Sequence, residues 1–88
     1  VIPSRILFAP YALENLMLAN RIVMAPMTRC RMIAPSYAPR QTTKTYYTQR
    51  ASAGLIVSEG IVVSRQARGY SNTPGLYTAT QVRAWKRV

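Results

Sequence analysis

The sequence predicts an α/β fold built on two parallel strands, and three features carry that reading. Two short apolar runs, residues 22–26 (IVMAP) and 55–59 (LIVSE), lack the alternation of a half-solvated strand and suit strands covered on both faces. Each run gives way to polar residues and a loop, and each loop leads into a helical pattern. The resulting order, strand–loop–helix–strand–loop–helix, favours parallel strands joined by right-handed crossovers.

Ahead of the first run, residues 7–21 (LFAPYALENLMLANR) read as two extended pieces around a turn at Glu14-Asn15, with Leu13, Leu16 and Leu18 facing a core. Pro26 and Thr28 stop the first strand. Residues 29–41 hold two prolines and little periodicity and form a loop. Over residues 42–53 (TTKTYYTQRASA) the pattern turns helical: Tyr47 and Ala51 share a stripe, Tyr46 and Ala53 flank it, and Gly54 stands where a C-cap glycine ends a helix. The second strand follows, then a Gly- and Pro-containing loop at 60–77. The last helix has an explicit start signal. Thr78 and Gln81 have the T-x-x-Q spacing of a capping box, and Tyr77 and Val82 have that of a hydrophobic staple, with Val82, Trp85 and Val88 on one face.

Composition bounds what such a chain can do. At 88 residues it is at most one small domain with a thin stability margin, and its 49% hydrophobic content excludes a disordered tail. No stretch approaches the ~18 apolar residues of a membrane span, and the opening VIPSRILFAPYALENL, with Arg5 and Glu14 among short apolar patches, does not read as a signal peptide. A lone cysteine, Cys30, excludes an internal disulfide, reads as an inert buried thiol and suits a reducing compartment, so the cytoplasm is expected.

Twelve basic residues against Glu14 and Glu59 give a net charge of +10. A small nucleic-acid-binding protein is therefore one alternative. The cations are spread along the chain, however, and no recognition motif accompanies them. Without histidine there is no Ser-His-Asp or Cys-His arrangement, and one cysteine with two distant carboxylates offers no metal site. There is neither a GxGxxG nor a phosphate loop.

Parallel strands bring Thr28-Arg29 and Ser58-Glu59 to the same edge of the sheet, the edge where α/β folds bind ligands. Pattern alone does not name the ligand. Three longer runs do. LFAPYALENLMLANRIVMAPMTRCR, YYTQRASAGLIVSEG and GYSNTPGLYTATQVRAWKRV resemble, in order and spacing, the N-terminal part of the Old Yellow Enzyme family, the FMN-dependent NADH:flavin oxidoreductases or ene-reductases that include the 12-oxophytodienoate reductases.

That resemblance implies a (β/α)₈ TIM barrel, incomplete in this chain, of which residues 1–88 are the N-terminal part: a short hairpin and two β/α units. It implies FMN as cofactor, NAD(P)H as hydride source and an α,β-unsaturated carbonyl compound as substrate. Ala25, Pro26, Met27 and Thr28 match the segment along the flavin ring, with Thr28 donating a hydrogen bond to it, and Gly60 matches the small residue whose backbone meets the flavin edge. Tyr70 matches an aromatic residue near the substrate. The family's His/Asn substrate pair, tyrosine proton donor and phosphate-binding segment have no counterpart in these 88 residues, so no catalytic residue is assigned. Lys44 and Asn72 stand where the family tends to be acidic. The expectation is a truncated or partial product, inactive by itself. Alternatively it is a non-enzymatic remnant whose open strand edges promote self-association.

Overall fold

The computed structural model describes residues 4–88; residues 1–3, the first part of the segment judged against a signal peptide, lie outside them. After a single helical turn, α1 (Ser4–Leu7), the chain forms an antiparallel hairpin of β1 (Tyr11–Leu13) and β2 (Leu16–Leu18). Its two-residue loop places Glu14 at φ 51°, in the left-handed region. Then come β3 (Val23–Met24), a long loop, α2 (Gln41–Thr48), β4 (Leu55–Ile56), a second loop with one 3₁₀ turn at Arg65–Ala67, and α3 (Ala79–Arg87). β3 and β4 pair in parallel, Val23 opposite Leu55 and Met24 opposite Ile56, as the order of elements predicts.

The junction between α2 and β4 differs from the sequence reading. The helix stops at Thr48, and the chain descends through three tight turns in which Arg50, Ala51 and Ala53 each donate to the carbonyl three residues back. Ala51 therefore lies beyond the helix and is exposed. Gly54 does not cap α2. Its N–H donates to the Ile22 carbonyl at 2.8 Å, and a Cβ on it would sit 2.0 Å from the Asn20 carbonyl oxygen. The glycine is needed for close approach of two backbones rather than for a left-handed conformation. Asn20 completes the junction by donating its Nδ2 to the Ser52 carbonyl and accepting the Ile22 N–H.

Burial is uneven. Leu18, Met32, Ala38, Tyr47 and Ala84 form the apolar core, joined by buried Thr43, Glu59, Thr73 and Gln81. Of the hairpin leucines expected to face a core only Leu18 is buried, while Leu13 and Leu16 stay exposed, and Val23 is half in water, so β3 is not covered on both faces. On α3 the buried side carries Gln81 and Ala84, whereas Val82 faces outward. Cys30 is half-buried rather than buried.

The shape follows from this. A radius of gyration of 15.5 Å exceeds the roughly 12 Å of a compact chain this long. Likewise, 6466 Å² of accessible surface exceeds the roughly 5,200 Å² of a compact monomer of this mass, so about a fifth of the surface is excess. Among the described residues no helix is long and apolar enough to cross a membrane.

Candidate functional site

The two loops that leave the C-terminal ends of β3 and β4 are stitched together by hydrogen bonds. Met32 N–H donates to the Asn72 carbonyl, and Gly75 N–H to the Tyr37 carbonyl. Val62 and Gly75 form a parallel bridge that closes residues 63–74 into one excursion. Arg68 stacks its guanidinium 3.6 Å from the Tyr37 ring centre and donates to the Thr73 carbonyl and hydroxyl.

Gln81 is the hinge pin of this arrangement. Its Oε1 accepts the N–H groups of Tyr77 and Thr78, and its own N–H donates to Thr78 Oγ1, which makes the capping box. Its Nε2 reaches back 45 residues to the Ser36 carbonyl at 2.8 Å. The capping spacing was visible in the sequence, but this third attachment was not. Gly75 is closely packed here: a Cβ would meet the Tyr77 ring at 2.5 Å and Gln81 Nε2 at 2.7 Å, so a larger residue would have to displace those side chains.

A cavity of about 360 Å³ opens between these loops, lined by Thr28, Gly60, Ile61, Val62, Tyr70 and Thr73 among others. Three residues singled out from the sequence, Thr28, Gly60 and Tyr70, thus meet at one place although 42 positions separate the first from the last. Thr28 and Tyr70 are exposed, and a Cβ on Gly60 would meet nothing within 4 Å. A flat group can therefore approach the Gly60 backbone unhindered. Ala25, Pro26 and Met27 form the exposed extended segment that runs into Thr28 and do not line the cavity. Apolar walls with a threonine hydroxyl at one side fit one face of a flavin ring.

Next to Gly60 in the chain, Glu59 forms with Tyr47 a pair that sequence reasoning missed as a functional element. The Tyr47 hydroxyl donates to Glu59 Oε2 at 2.8 Å and accepts the Glu59 N–H at 3.0 Å. Both residues are buried, and Glu59 Oε1 has no partner among the described residues. Burial, with the Glu59 carboxylate beside it, pushes the Tyr47 hydroxyl from its ordinary 10.0 up to about 12. The only advance signal was a carboxylate placed at the end of an apolar run.

The cations take other partners. Arg29 and Arg50 both stack on Tyr46, 3.6 and 4.1 Å from its ring centre. Arg29 also joins Arg31, Arg40, Thr42 and Thr43 around a separate cavity of about 280 Å³.

Comparison with known proteins places this geometry. Residues 6–88 match the model of the NADH:flavin oxidoreductase / NADH oxidase family. 12-Oxophytodienoate reductase 1 of Oryza sativa subsp. japonica is 44% identical over 85 residues, covering 93% of this chain and 21% of that protein. Morphinone reductase, solved in complex with tetrahydroNAD, superposes with a TM-score of 0.86 at 49% identity, over 92% of this chain and 22% of the other. The old yellow enzyme from Trypanosoma cruzi does so with a TM-score of 0.88 at 38% identity, over 94% and 22%. The chain spans about a fifth of the length of these relatives. It belongs to the NADH:flavin oxidoreductase / NADH oxidase family, whose cofactor is FMN, and its fold is the first part of that family's TIM barrel.

Proposed function

We propose that residues 1–88 are the N-terminal part of an FMN-binding oxidoreductase domain of the Old Yellow Enzyme type and form one wall of its flavin site. The reaction served is reduction of the activated C=C bond of an α,β-unsaturated carbonyl compound by NAD(P)H. The observation that carries the reading is the convergence of Thr28, Gly60 and Tyr70 on one cavity at the C-terminal ends of two parallel strands. TetrahydroNAD bound to morphinone reductase supports a nicotinamide cofactor as the reductant.

In this proposal Thr28 donates its hydroxyl hydrogen to the ring, Gly60 lets the backbone meet the ring edge, and Ala25, Pro26 and Met27 run alongside it. Tyr70, at the mouth of the cavity, lies against the substrate. FMN, when bound, supplies the two-electron carrier between NAD(P)H and the alkene. A threonine hydrogen bond that strengthens as the ring gains electron density favours the reduced form. The phosphate end of the cofactor has no cradle among the described residues. Arginines such as Arg29 and Arg31 offer it electrostatic attraction only. The 88 residues are inactive alone in this reading, and their compartment is the reducing cytoplasm.

Titration of the isotope-labelled chain with FMN at low and high salt tests the assignment. Weak binding with resonance shifts at Thr28, Gly60 and Tyr70 is expected. Shifts confined to arginines and abolished by salt would remove the flavin wall. Salt-sensitive retention on DNA without those shifts would favour the basic-protein alternative.

A further inference from the structure

We propose that Tyr47 and Glu59 are positioning residues that hold the Gly60 backbone in place as the wall of the flavin site, an inference that rests on the function proposed above. The last ladder bond of the parallel sheet runs from the Val57 N–H to the Met24 carbonyl at 3.0 Å. The next backbone bond to another part of the chain is made by Val62, whose N–H donates to the Pro74 carbonyl. Residues 58–61 cross the edge of the cavity between these two points. Within this stretch the cross-chain attachment is the Tyr47 hydroxyl, which grips Glu59 twice, by its N–H and by its carboxylate.

Geometry makes this grip specific. A phenol has one proton, and spending it on Oε2 turns an oxygen lone pair toward the Glu59 N–H. Backbone and side chain of one residue are thereby fixed by a single atom on α2. The adjoining residue, Gly60, lines the cavity with open space where its side chain would be.

Stability is a poor reason for this carboxylate. Glu59 is 3% exposed, and its Oε1 is buried without a partner among the described residues. An apolar residue of similar volume would avoid that desolvation. A group that costs stability yet orients the chain beside a ligand cavity is understood as a device for placing Gly60.

Amide hydrogen exchange and resonance positions in the full chain test this with three variants. Tyr47→Phe removes both bonds, so exchange at Glu59 should rise about ten-fold, the equivalent of one lost hydrogen bond, with shifts at Gly60 and Thr28. Glu59→Gln keeps an acceptor for the hydroxyl and should match the parent. The double variant Tyr47→Phe/Glu59→Leu, which leaves neither partner stranded, should loosen residues 58–61 while leaving the melting temperature unchanged or higher, a split that a merely structural pair would not produce. The proposal is overturned if Tyr47→Phe and Glu59→Gln behave alike, or if the double variant Tyr47→Phe/Glu59→Leu lowers melting temperature and protection everywhere in parallel. These readouts need no cofactor. The FMN titration decides separately whether the ordered wall is a flavin wall.

Discussion

Gln81 and Met17 lie in one small chain, yet the first is 1% exposed and the second 69%. Around Gln81, polar groups taken out of water find one another: three elements meet on a single amide side chain through directed hydrogen bonds. Along the hairpin, Tyr11, Leu13, Leu16 and Met17 are apolar or aromatic, regular in their pairing, and open to solvent. The difference teaches which interactions a piece of a barrel can complete by itself. Hydrogen bonds between neighbouring βα loops need only those loops. Apolar burial is a surface property and needs an opposing layer. The relatives are four to five times longer, in keeping with the 21–22% of them that this chain covers.

The largest test of that contrast is Gln81→Leu. It strands the Tyr77 and Thr78 N–H groups and the Ser36 carbonyl, three partners in a part-buried setting, so a loss of about 2–4 kcal/mol in sum is expected. For a domain this small that is at least about 8 °C in melting temperature, readable by circular dichroism. A shift of only a degree or two would mean that the loops are held by something other than Gln81.

Next in size is Gly54→Ala, a probe of the seam between the two regions. The added methyl would sit 2.0 Å from the Asn20 carbonyl oxygen, so the strand entry must move, at a cost of about 1–3 kcal/mol. Chemical denaturation measures it, and a neutral result would show that the α2–β4 junction is not packed against residue 20.

How far these features can be foreseen depends on their range. The capping box of Thr78 and Gln81 is legible because both partners sit within one turn. The parallel pairing of β3 and β4 is legible because the order of elements permits little else. The end of α2 was misplaced because the cause lies 34 residues away: Gly54 is reserved for the Asn20 backbone, and the chain must leave the helix early to reach it. Leu13 and Leu16 mislead for a related reason, since their pattern anticipates a layer that these residues do not contain, whereas Leu18 is buried as expected. For the site, the resemblance supplied Thr28, Gly60 and Tyr70, but no motif reveals that Tyr47 reaches Glu59. That pairing depends on where the chain carries α2 relative to the segment that follows β4.

An effect of similar size to that of Gly54→Ala is expected from pH. Tyr47 is protonated in the folded chain up to about 12, whereas its unfolded counterpart loses its proton near 10.0. Between those values the unfolded state binds fewer protons than the native one, so stability falls as pH rises. The stabilisation is complete below the lower value and gone above the upper one. Urea unfolding at pH 9, 10, 11 and 12 should therefore show a decline that is shallower in Tyr47→Phe, the difference between the two curves isolating this hydroxyl from the other tyrosines. Parallel curves would mean that Tyr47 is solvated, and the interior of the loop region would then be no better sealed than the hairpin.

Met17→Ser carries the smallest expected effect on stability and bears most directly on the hairpin. Met17 pairs with Ala12 across the hairpin ladder through its backbone while its side chain points into water. Truncating a side chain that is already solvated forfeits almost no burial, so the change should stay within about 0.5 kcal/mol. The same substitution removes apolar area from the hairpin face that Met17 shares with Ala12, opposite the face that carries Leu13 and Leu16, and so from one of two open faces that could attract a second copy. Light scattering across a concentration series should then report less self-association than the parent shows, at an unchanged melting temperature in dilute solution. The opposite pattern, a melting temperature that drops by several degrees, would mean that Met17 is buried in solution against another chain. The hairpin would then be a completed interface rather than an open one, and the contrast with Gln81 would lie in what each region packs against, not in whether it packs.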